Sequence, residues 1–103
     1  MSLGEVIADY EAEGFVGQFI PADCDGNVRC LTCNRTTHAD DVIAHHLRRV
    51  EGASDPADMA AVAALECPHC HTRGTITLKY GPDPTPEEAA ILPLLEKHER
   101  LTP

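Results

Sequence analysis

Cys30-Leu31-Thr32-Cys33 and Cys67-Pro68-His69-Cys70, two pairs of the same spacing separated by 33 residues, set the architecture of this 103-residue chain. A two-residue spacer lets the backbone fold into a tight knuckle that aims both sulfurs at one point. Two such knuckles make a closed tetrahedral four-sulfur site, suited to Zn2+ with metal–sulfur bonds of ~2.3 Å. A closed sphere is structural rather than catalytic, because it leaves no position for water. The residue after each pair agrees with this. Knuckles leave through a left-handed residue, and Asn34 and His71 are of types that tolerate one. Cys30, Cys33, Cys67 and Cys70 are therefore the expected ligands and Zn2+ the expected ion. The competing chemistry, a thioredoxin-like redox pair, goes with a βαβ pattern; both pairs here stand beside hairpin-like strands instead.

Outward from the first pair, Val28-Arg29-Cys30 reads as a strand returning from a turn at residues 23–27, with residues 15–20 as its partner. After the second pair, residues 74–80 alternate, with Ile76, Leu78 and Tyr80 on one face and Thr75, Thr77 and Lys79 on the other. Leu3, Val6, Ile7 and Tyr10 recur at helical spacing, which predicts a helix over residues 3–13, opened by Ser2 and Glu5 and closed at Gly14. Between the pairs, the pattern predicts two helices. One starts near Thr37 with Val42, Ile43, Leu47 and Val50 as its apolar side, ending at Gly52. The other is capped by Ser54 or Asp55, with Met59, Val62, Ala63 and Leu65 inward. A rigid turn at residues 81–84 precedes a last helix, opened by Thr85-Pro86-Glu87-Glu88 and interrupted at Pro93.

Cys30-x-x-Cys33 on a hairpin, Cys67-Pro68-x-Cys70, and Gly74 opening a strand resemble the zinc-ribbon class over residues 15–80. The resemblance implies an α+β fold: a small antiparallel sheet of three strands with peripheral helices. Zinc ribbons serve in transcription, in translation and as interaction modules, so the likeness implies no single task. Two features depart from it. The 33 intervening residues exceed the usual ~15–20, and Asn34 and His71 stand where many ribbons carry glycine. A fainter similarity is to the rubredoxins, which hold iron for electron transfer. The expected organisation is one domain over residues 1–103. It comprises an N-terminal helix (1–14), a ribbon-like core (15–80) with a helical insert (37–65), and a C-terminal helix (85–101).

Composition narrows the function. Aromatic residues make up 4% of the chain and there is no Trp. Rings supply much of the area in small cores, so a metal staple is needed. With 8 basic and 17 acidic residues the net charge is −9, which repels nucleic acid and anionic membranes at long range. Arg29, Arg35, Arg48, Arg49 and Arg73 flank the knuckles or lie on the helix expected after Thr37, and only their gathering into a patch would favour nucleic acid. The start Met-Ser-Leu-Gly-Glu has no secretory pattern, and no apolar run approaches a membrane span. A cytoplasmic location is expected, where paired cysteines bind metal rather than form disulfides.

The remaining polar residues read as structural. Cys24 is a small residue in a turn beside Asp23 and Asp25, which raise a thiol pKa. The six histidines show no ligand spacing, and the chain has no phosphate loop, nucleophile elbow or His-Glu-x-x-His. No catalytic residue and no second cofactor are expected. The function expected is a non-enzymatic structural-zinc protein acting through another protein or through self-association. A transcription- or translation-associated ribbon contacting nucleic acid is the alternative. The Leu-rich C-terminal segment either packs on helix 1 or presents Leu92 and Leu95 to a partner.

Overall fold

The computed structural model describes residues 3–50, 60–79 and 85–101. It comprises α1 (Leu3–Ala12), β1 (Gly17–Pro21), β2 (Asn27–Cys30), β3 (Thr36–His38), β4 (Ile43–Val50), β5 (Ala60–Glu66), β6 (Arg73–Lys79) and α2 (Pro86–Leu101). Ser2, the helix cap at Ser54 or Asp55, Met59, Tyr80 and the turn at 81–84 lie outside the described residues. Among the described residues, no helix is long and apolar enough to cross a membrane.

The six strands form one curled sheet in the order β3-β2-β1-β6-β5-β4. Strands β1–β2–β3 and β4–β5–β6 are two antiparallel meanders. A parallel β1–β6 pair joins them, with Gly17 opposite Gly74 and Gln18 opposite Thr75. The fold is thus α+β with peripheral helices, as expected, but its sheet is mixed and twice as large as a three-stranded ribbon.

The helical insert expected over residues 37–65 is replaced by strands β3, β4 and β5. In β5, Ala61, Ala63 and Leu65 enter the core beneath α2, while Val62 and Ala64 enter the core beneath α1. A strand covered on both faces reads as a continuous apolar run. Its alanines let both helices approach, and that burial overrides alanine's preference for helix. In β4, a bulge between Ala44 and His46 inserts an extra residue. Ala44 and Leu47 consequently pack on the same core although three residues apart, a spacing that imitates a helix.

Helix α1 ends as its sequence implies. Gly14 has φ 104°, and the Phe15 and Gly14 amides donate to the Tyr10 and Glu11 carbonyls at 2.9 and 3.0 Å, closing a Schellman turn. The rings of Tyr10 and Phe15 then meet edge-on at 6.0 Å. Helix α2 opens with the expected box: the Glu88 amide donates to Thr85 Oγ1 at 3.2 Å, and the Thr85 amide donates to Glu88 Oε1 at 3.1 Å. Pro93 lies inside α2, which continues through it as one element; its ring is exposed, so the carbonyl it leaves free can face water. Ile91, Leu92 and Leu95 are buried in the sheet's core. The segment therefore covers the face opposite α1. It neither packs on helix 1 nor presents Leu92 and Leu95 to a partner.

Tyr10 carries a defect. Its hydroxyl is buried and has no hydrogen-bond partner among the described residues, and burial pushes its pKa up to about 12, against the opposing pull of Arg48. An unmade buried hydrogen bond costs ~1–3 kcal/mol. Tyr10→Phe is expected to raise the free energy of unfolding by about 1 kcal/mol at neutral pH. Because the folded pKa exceeds the unfolded value, the parent also loses stability as pH rises from about 10 to 12. Urea titrations across that range should show a smaller alkaline loss in the Phe variant. A variant less stable than the parent would mean that the hydroxyl has a partner.

Candidate metal centre

Each knuckle is the second turn of its meander, the first joining β2 to β3 and the second joining β5 to β6. Their backbones are equivalent. The Asn34 amide donates to the Cys30 carbonyl at 2.8 Å, and the Cys30 amide donates to the Arg35 carbonyl at 3.0 Å. In the second knuckle, the His71 amide donates to the Cys67 carbonyl and the Cys67 amide to the Thr72 carbonyl, both at 2.9 Å. Asn34 (φ 62°) and His71 (φ 61°) are the left-handed residues the spacing requires.

What brings the knuckles together is the β1–β6 contact. A Cβ on Gly74 would lie 2.5 Å from the backbone carbon and oxygen of Gly17, and one on Gly17 would lie 3.0 Å from the Arg73 carbonyl oxygen. The two meanders therefore meet backbone to backbone, at a distance no larger residue permits. Sequence reading gave Gly74 only the role of opening a strand and assigned Gly17 none. Their common role becomes visible only once the parallel pairing is known.

The sulfurs of Cys30, Cys33, Cys67 and Cys70 all lie within 4.8 Å of one another. Cys30 and Cys70, and Cys33 and Cys67, are 3.7 Å apart. A tetrahedron with metal–sulfur bonds of ~2.3 Å has edges of ~3.8 Å, so the cluster could hold a metal ion. A disulfide needs ~2.05 Å, and none of the five cysteines is in one. Cys30 and Cys67 are buried in the core, while Cys33 and Cys70 are half-buried at its rim. The first sulfur of each pair is thus fixed by packing.

The thiols titrate unequally. Cys70 Sγ lies 3.1 Å from Thr72 Oγ1, and that hydroxyl, with the Thr72 amide, lowers the thiol to about 6. At Cys33 the Arg35 amide pulls down, but desolvation and the neighbouring sulfurs prevail and push the thiol up to about 11. Of these two, Cys70 is the thiol favoured as thiolate at neutral pH. A dication would favour the thiolate form of its ligands by neutralising their charge.

Glu66, just before Cys67, gathers three cationic or ionisable groups. It lies 3.1 Å from His45 Nε2, 3.5 Å from Arg73 Nε and 3.6 Å from His71 Nδ1. The His45 contact, aided by Arg73, holds its carboxyl below the usual range. Sequence reading did not single out Glu66, because His45 reaches it only through the β4–β5 pairing.

Cys24 lies in the turn expected of it, whereas Arg48 and Arg49, expected on a helix, lie on strand β4. Cys24 is exposed and outside the cluster, and its Sγ donates to Glu87 Oε1 at 3.6 Å. Desolvation and the Glu87 carboxylate raise its pKa ahead of Asp25 and Asp23. Among the described residues, no histidine joins the four sulfurs. Of Arg29, Arg35, Arg48, Arg49 and Arg73, three pair with acids: Arg48 with Asp9, Arg49 with Glu96 and Arg73 with Glu66. No family model, curated protein or solved structure matches the chain.

Proposed function

We propose that the chain is a structural zinc protein of the zinc-ribbon kind that works through contacts with protein rather than through catalysis. The observation that carries this reading is the set of sulfur–sulfur distances, 3.7 Å on two edges, on two hairpin turns of the same backbone form. Zn2+ suits four thiolates in a closed tetrahedron and supplies folding energy there. With all four positions taken by protein sulfur, no water can be activated, which argues against hydrolytic chemistry. Reduced cysteines suit a reducing compartment such as the cytoplasm. The net charge of −9 and the pairing of Arg48, Arg49 and Arg73 with acids disfavour the nucleic-acid alternative.

Native mass spectrometry of untagged protein tests the metal. One zinc per chain is expected, lost together with folded charge states on chelation. Iron and a red colour would favour the rubredoxin-like reading, and a metal-free folded chain would remove the structural-zinc reading.

A further inference from the structure

The α1-side face of the sheet is covered only in part. Helix α1 packs on β5 and β6, and beside it lies a groove of about 490 Å3 whose walls include Ile7, Phe15, Val16, Ile20 and Leu31. Val16 is 73%, Ile20 39% and Leu31 46% exposed, and with Ile43 these are the large exposed apolar side chains among the described residues. Three of the four thus border one groove, a concentration that marks contact surfaces on soluble domains.

We propose that this groove is the contact face of a homodimer, in which each copy covers the groove of the other. The proposal rests on the protein-contact reading above and names the partner. Charge selects a second copy of this chain as the occupant. Glu11 lines the groove on the α1 side. Arg29 stands across it on β2, directly opposite Ile20 in the ladder and so on the same face. Neither side chain forms an ion pair with a described residue, whereas Arg48, Arg49 and Arg73 do. A twofold axis midway between Glu11 and Arg29 exchanges their positions, so each Glu11 meets the Arg29 of the other copy. The apolar Val16, Ile20 and Leu31 then form the middle of the interface and the two ion pairs its rim. Repulsion between two chains of net charge −9 is screened beyond ~8 Å at physiological salt.

Sedimentation of the intact, zinc-loaded chain and three charge variants tests this. The parent is expected to dimerise. Glu11→Arg and Arg29→Glu each place like charges at both rim contacts, raising the dissociation constant on the order of tenfold or more. The double variant Glu11→Arg/Arg29→Glu restores the attraction with the signs exchanged and should return to within about threefold of the parent. Val16→Asp, at an exposed position, should abolish the dimer. A parent that stays monomeric up to on the order of 100 μM overturns the proposal. So do single reversals without effect, or a double variant that does not recover. Zinc content is read in the same samples. A zinc-loaded monomer defeats the dimer alone and leaves another protein as partner, whereas a folded monomer without zinc defeats the structural-zinc reading.

Discussion

Cys30→Ser and Cys67→Ser are each expected to leave most of the chain unfolded, while Cys24→Ser should fold as the parent does. The reason is magnitude. Structural zinc contributes an apparent ~10–16 kcal/mol at neutral pH, against a total stability of ~5–15 kcal/mol for a typical domain. Cys30 and Cys67 lie in the same apolar cluster as Leu65, Ile76 and Leu78, so losing the metal also opens the core. Cys24 is exposed, and its thiol donates to Glu87 rather than joining the cluster. Circular dichroism and amide exchange check this: protection of β2, β5 and β6 should vanish in the two ligand variants. Equal loss in the Cys24 variant, or protection retained in the ligand variants, contradicts it.

Gly74→Ala is expected to be the most damaging single change outside the cysteines. The added methyl would sit 2.5 Å from the Gly17 backbone, which cannot rotate away as a side chain can. Overpacking of this kind costs ~1–3 kcal/mol, and each kcal/mol lowers the melting temperature of a small domain by ~4–8 °C. A drop of ~10–20 °C follows at the upper end, accompanied by weaker metal binding as the two meanders separate. Gly4→Ala is the control, since nothing lies within 4 Å of its added methyl. Calorimetry showing Gly74→Ala within a degree or two of the parent would mean that the β1–β6 contact is looser than described.

What the sequence made legible was the chemistry fixed by short spacings. The two Cys-x-x-Cys knuckles, the left-handed Asn34 and His71, α1 with its Gly14 exit, the Thr85–Glu88 cap and the alternation of β6 all depend on neighbours within a few residues. What it hid depends on partners far along the chain. Ala60 to Leu65 imitates a helix because the strand is buried on both faces, and one-sided alternation is then absent. The bulge at His45 shifts Ala44 and Leu47 into helical spacing. The parallel β1–β6 pair, and with it the purpose of Gly17 and Gly74, has no local signature at all. The effect is consistent: the two cysteine knuckles were readable, and the sheet that brings them together was not.

X-ray absorption at the zinc edge of the intact, zinc-loaded chain tests the central claim most directly. A closed four-cysteine centre predicts one shell of four sulfurs at ~2.3 Å and no lighter atom in the first sphere. A shell containing nitrogen or oxygen at ~2.0–2.1 Å would contradict it, because a histidine, carboxylate or water would then occupy a position assigned to Cys30, Cys33, Cys67 or Cys70.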